Sequence, residues 1–124
     1  MTPTTQRIEG SPYGECVRAS YASLLELPLA LVPRLDPGAL LPGETQGDRQ
    51  RNWLAMLGLS LLELPAMPQV LAAAPPVYHL LGGRSPRGFL HQCVGYGGRL
   101  AWDPHPSRAG LSSLTSLGFV VPRC

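Results

Sequence analysis

Fourteen glycines and fourteen prolines stand among 124 residues. Proline removes a backbone donor and breaks helix interiors, and glycine weakens both helices and strands. The chain must therefore be assembled from short, punctuated elements. With 44% apolar residues it can still bury a core, which excludes wholesale disorder. The length suits one compact domain over residues 1–124. All ten basic residues are arginine and the formal charge is only +2, too small to argue for a nucleic-acid partner. No apolar run of about 18 residues predicts a membrane-spanning helix, so no membrane partner is expected. The polar N-terminal residues carry no signal-peptide core. Three widely spaced cysteines, Cys16, Cys93 and Cys124, argue against a disulfide framework and for a reducing, cytoplasmic setting.

The clearest helix is predicted over residues 15–27, where Val17, Tyr21, Leu24 and Leu25 make one apolar stripe. A loop at residues 10–14 precedes it, so Cys16 falls in its first turn. Pro28 ends it. Ala19, Ser20 and Ser23 leave room for a second layer to approach. Residues 33–47 read as an irregular loop. Asp48 is a candidate N-cap for a second helix at residues 49–57, with Trp53, Leu54 and Leu57 inward and Gly58 at C′. Residues 59–64 read as a short buried strand, and residues 67–73 as a helical turn between prolines. The second half reads as β: strands at 76–81, 89–96, 99–103 and 117–122, a turn at 84–88 and a hairpin at Gly97-Gly98. Helices followed by antiparallel strands predict an α+β fold.

A cysteine at a helix N-terminus has unpaired N–H groups and the positive dipole end beside it, which favour thiolate over thiol. An imidazole nearby completes such a site, as a base or as the cationic half of an ion pair. His91 opens one strand of the hairpin and Asp103 ends the other. With a two-residue turn Asp103 falls opposite Gln92, on the wrong face. A three-residue loop, Tyr96-Gly97-Gly98, would place it across from His91. His79 lies mid-strand and reads as a packed residue. His105, between two prolines, is placed to touch a ligand. Cys93 shares the His91 face. No C-x-x-C or H-x-x-x-H spacing supports a zinc site. No phosphate-binding loop is present. Neither a metal nor a cofactor is expected.

Two segments, Gly14-Glu-Cys-Val-Arg-Ala-Ser-Tyr-Ala-Ser-Leu-Leu and His91-Gln-Cys-Val-Gly-Tyr-Gly-Gly-Arg-Leu-Ala-Trp-Asp103-Pro, resemble the papain-like cysteine peptidase superfamily. They are nearest its small bacterial branch, which includes peptidases that cleave double-glycine leader peptides. The stretches from Gly14 to Pro33 and from Ser85 to Leu111 also resemble small phage and prophage proteins. The resemblance implies a papain-like domain, with N-terminal helices packed on a small C-terminal antiparallel sheet. It implies Cys16 as nucleophile, His91 as base and Asp103 as orienting group. It also implies a glutamine donor to the oxyanion hole. Gln6 is the one upstream glutamine, ten residues before Cys16 and farther than the usual spacing. Val17 stands where the leader peptidases have glycine.

Together these features predict a thiol hydrolase (peptidase, isopeptidase or amidase), phage- or prophage-encoded, acting on a peptide or protein. The alternative is a papain-like binding or virion-associated protein whose triad is vestigial. Ser85 and Arg87, just upstream of His91, are expected in one wall of the cleft, with His105 near the ligand and the 33–47 loop opposite. A lowered Cys16 pKa predicts alkylation well below pH 8.

Overall fold

The computed structural model describes residues 1–9 and 14–123. Most of the expected 10–14 loop, and Cys124, lie outside the described residues. Helix α1 (Cys16–Leu25) is followed by short 3-10 turns at Leu29–Leu31 and Pro37–Ala39. Then come α2 (Gln46–Met56), β1 (Leu59–Pro65), α3 (Pro68–Ala73), β2 (Tyr78–Arg84), β3 (Leu90–Tyr96), β4 (Arg99–Trp102) and β5 (Ser113–Pro122). The strands form one antiparallel sheet in the order β1-β5-β2-β3-β4, so the fold is α+β.

Local chemistry moves several boundaries. Helix α1 stops at Leu25 because Glu26 takes a left-handed conformation (φ 57°), its N–H bonded to the Ala22 carbonyl. Helix α2 starts earlier than expected. Thr45, not Asp48, is the N-cap: the Thr45 hydroxyl accepts the Asp48 N–H at 3.0 Å, and the Asp48 carboxylate accepts the Thr45 N–H at 3.2 Å. This reciprocal pair satisfies two helix-end donors at once. Gly58 follows the helix at φ 73°, as expected for C′. Leu57, expected inward, is half exposed, because the helix has already ended at Met56. Strand β1 is an edge strand with Leu62 exposed, not a fully buried one.

Strand β5 begins at Ser113, four residues before its expected start, and runs between β1 and β2. Its register with β2 shifts by one residue at Gly82/Gly83, where Gly82 pairs with Ser116 and Gly83 with Leu114. A Cβ at Gly83 would run into the Ser113 carbonyl oxygen, so only glycine allows that approach. The core lies between the helices and the sheet, with Ala19, Tyr21, Ala22, Leu35, Leu54 and Leu80 at its centre. Helix α1 packs chiefly on β3, and α2 on β1. The alanines on α1 bring the helix close to β3, and a larger side chain at Ala19 would cost about 1–3 kcal/mol. No described helix is long and apolar enough to cross a membrane.

Candidate active site

The β3–β4 hairpin decides where Asp103 goes. Its turn has two residues: Tyr96 pairs with Arg99, and Gly97 and Gly98 have φ of 60° and 83°, as a type I′ turn requires. Continued regularly, that register would leave Asp103 opposite Gln92. A bulge intervenes: Gly95 pairs with Leu100 but Val94 pairs with Trp102, so Ala101 is the extra residue. Asp103 thereby comes into line with Cys93, on the face that Cys93 shares with His91. Of the two turns left open by the sequence the two-residue one forms, and not the three-residue loop that would have set Asp103 across from His91. The face changes through the bulge, and the result is a direct bond of 2.7 Å between His91 Nε2 and Asp103 Oδ1.

Asp103 is buried and takes three N–H donors. Oδ1 accepts from His91 and from the His105 backbone at 2.9 Å, and Oδ2 accepts from the Gly110 backbone at 2.7 Å. Burial alone would raise its pKa; these donors outweigh burial and hold the carboxyl below its ordinary value. Gly110 reaches it in a left-handed conformation (φ 74°). Arg108 also has positive φ, and it braces the loop by donating to the Asp103 and His105 carbonyls and to Thr5 Oγ1 while stacking on Trp102. With His91 Nε2 turned to Asp103, His91 Nδ1 has no hydrogen-bond partner among the described residues.

Cys16 opens α1 as expected, and it meets β3 at Gln92. The Gln92 N–H lies near enough to the Cys16 sulfur to favour the thiolate, and one turn later Ser20 Oγ donates to the Gln92 carbonyl at 3.0 Å. Pairing between β3 and β4 ends at Val94–Trp102, so the helix takes over the Gln92 backbone. Glu15, just before Cys16, is buried. It accepts the Arg7 and Ile8 N–H groups and the Arg18 guanidinium, tying the N-terminal segment across the helix start. That segment carries Gln6, whose N–H bonds the Pro104 carbonyl and whose Nε2 donates to the Ile8 carbonyl at 2.9 Å; its buried Oε1 has no partner among the described residues. Cys16, His91, Gln6, Arg87 and His105 all line one cleft of about 570 Å³.

The Cys16 thiol does not titrate as the helix-end argument expects. Burial pushes its pKa above the ordinary thiol value, and the Asp103 charge pushes the same way. The Gln92, Val17 and Cys16 N–H groups pull downward but do not prevail. The proton therefore rests on sulfur, which runs against the expected alkylation well below pH 8.

The remaining candidates separate. His105 Nε2 bonds Glu9 at 2.6 Å, its Nδ1 accepts the Ser107 N–H, and its ring meets that of His91 edge-on at 6.0 Å. Burial, then the Arg87 charge, lowers its pKa. Arg87 donates to Ser107 Oγ at 3.0 Å. Ser85 is buried within the 84–88 turn; among the described residues its Oγ has no partner, and it does not line the cleft as expected. Pro37, Gln46 and Gln50 from the 37–50 stretch do line it. Glu15, Arg108 and Gly110 were missed from sequence. The pattern Asp-Pro-His-Pro marks a break there but not where the chain returns.

One group of donors could suit a metal: His91, Cys93 and Asp103 have ligand atoms within 4.8 Å of one another. They already hold each other. Asp103 takes three N–H groups, and burial with the Asp103 charge keeps the Cys93 thiol protonated. A cation would have to break those bonds and deprotonate that sulfur. Comparison with known protein families, with curated proteins and with solved structures finds no match to this chain.

Proposed function

We propose that this chain is a cysteine-dependent hydrolase of papain-like architecture, acting on a peptide, isopeptide or side-chain amide bond. The observation that carries the proposal is the 2.7 Å His91–Asp103 bond, which leaves Nδ1 of the imidazole unspent beside a cleft that Cys16 also lines. Nδ1 takes the thiol proton as sulfur attacks the carbonyl carbon. Because the thiol is protonated at rest, His91 acts as a base in the attack and not as half of a standing ion pair. The Cys16 N–H, at the opening of α1, is one donor for the developing oxyanion, and the second proton of Gln6 Nε2 is another. The imidazolium then protonates the leaving amine, giving a thioester. His91 next deprotonates the water that hydrolyses it. Asp103 stays ionised throughout and stabilises the imidazolium. The phage or prophage origin and the cytoplasmic setting rest on the sequence resemblance and its cysteine usage.

A binding role with a vestigial triad is the alternative, and the raised Cys16 pKa favours it. The two separate on an acyl donor that needs no knowledge of the natural substrate. Incubation with p-nitrophenyl acetate should release p-nitrophenol and leave one acetyl group on Cys16, seen by peptide mass spectrometry. Both signals should vanish in Cys16→Ala and nearly vanish in His91→Ala. Acetylation spread equally over other nucleophiles, or unchanged in His91→Ala, would leave only the binding role.

A further inference from the structure

A substrate reaching Cys16 passes walls that carry two arginines, Arg84 and Arg87, and no Asp or Glu among the described lining residues. Arg84 ends β2, and Arg87 lies in the turn between β2 and β3. That turn is fixed by bonds from Ser85 N–H to the Phe89 carbonyl and from Gly88 N–H to the Ser85 carbonyl. Arg84 Nη1 donates to the Gly88 carbonyl at 2.7 Å and Arg87 Nη1 to Ser107 Oγ at 3.0 Å. Each guanidinium has five N–H donors, so most remain available to a ligand. The nearby carboxylates are engaged elsewhere: Glu9 on His105, Glu15 on Arg18, Asp103 on His91 and two backbone N–H groups. Two exposed cations on a tethered turn, unmatched by acid, set a positive field over the approach to the sulfur.

We propose that the cleft selects acyl substrates bearing a carboxylate close to the scissile bond, held by Arg87 and Arg84. This rests on Cys16 being the nucleophile, and it adds a substrate class to that role. A planar guanidinium fork matches a carboxylate in two parallel hydrogen bonds, which a neutral side chain cannot reproduce.

The test uses the full chain and two thiol reagents of similar size, anionic iodoacetate and neutral iodoacetamide, with Cys16 alkylation followed by mass spectrometry. The iodoacetate-to-iodoacetamide rate ratio at Cys16 should exceed that of an uncharged cysteine peptide by about tenfold. It should fall toward the peptide value in Arg87→Gln and, separately, in Arg84→Gln. Should Arg84→Gln loosen the turn, salt gives a check without substitution: at about 1 M, where the screening length is ~3 Å, the wild-type excess should collapse. A wild-type ratio equal to the peptide's, or one indifferent to salt and to Arg87→Gln, overturns the proposal.

The result is separable from the hydrolase assignment. If His91→Ala leaves Cys16 rates unchanged while the ratio still follows Arg87, hydrolysis falls and carboxylate recognition stands. If His91→Ala slows both reagents but the ratio is ordinary, the reverse holds. Protection of Cys16 from iodoacetamide identifies the source of the carboxylate. Stronger protection by an end-capped peptide with an internal glutamate supports a side-chain carboxylate. Stronger protection by a peptide whose single carboxylate is its C-terminus supports a terminal one. Protection by neither overturns the proposal.

Discussion

His79 on β2 and His91 on β3 are both buried imidazoles on neighbouring antiparallel strands, yet their polar atoms are spent differently. His79 is closed. Its Nε2 accepts the Gly98 N–H at 3.0 Å, its Nδ1 bonds the Leu80 carbonyl at 2.9 Å, and its ring lies against Phe119 at 5.0 Å. Gly95 opposite has no room for a Cβ beside that ring. His91 has one nitrogen on Asp103 and the other without a partner among the described residues, at a cleft. Burial and strand position do not separate a structural histidine from a chemical one. The fate of the second nitrogen does.

That contrast breaks or holds on substitution. The largest effect expected is His91→Ala, which should slow acetylation of Cys16 by about 10²–10⁴-fold while shifting the melting temperature little. A variant that unfolds while its residual native fraction reacts normally would make His91 a second His79. His79→Ala should do the opposite. It strands the Gly98 N–H and opens a cavity beside Phe119, so a loss of about 2–4 kcal/mol is expected in urea unfolding. Cys16 reactivity in the folded fraction should be unchanged. Asp103→Asn should cost about 1–3 kcal/mol, because an amide NH₂ must face one of three N–H donors that the carboxylate accepts. It should also lower Cys16 reactivity, though less than His91→Ala.

The smallest effect is in pH. Asp103 is held below its ordinary value, so the unfolded chain binds its proton first as pH falls. Its contribution is complete above about pH 4 and is lost as pH drops through the lower native value. The stability gap between wild type and Asp103→Asn should therefore narrow below about pH 4. A gap that stays constant down to the acid limit would mean that the carboxylate bonds add nothing.

The same contrast shows what could be read before the fold. The α+β class, the helix opening at Cys16 and the strands bearing His91 and Asp103 follow from local periodicity and turn residues. His79 as a packed residue and Cys93 as a buried neighbour of the site followed from strand position. The bulge at Val94/Gly95 did not, since it depends on how Gly95 fits between the His79 ring and the Arg99 carbonyl. Turn length alone did not decide the face of Asp103: the two-residue turn forms, and the bulge supplies the shift that only the three-residue loop had offered. The Cys16 pKa failed for a similar reason. The helix end is visible in sequence, but the burial that outweighs it arises only once α1 packs on β3. Glu15 was legible only as a charge beside the cysteine, because its partners Arg7 and Ile8 lie across an unpatterned loop.

The most direct test of the Cys16–His91 partnership is the iodoacetamide alkylation rate of Cys16 at pH 7, measured by peptide mass spectrometry in wild type and in His91→Ala. The expected result is a drop of at least about tenfold on removing the imidazole, with Cys93 unmodified in both folded proteins. Equal Cys16 rates in the two proteins, at equal folded fraction, would show that the imidazole does not serve the sulfur and would contradict the hydrolase assignment.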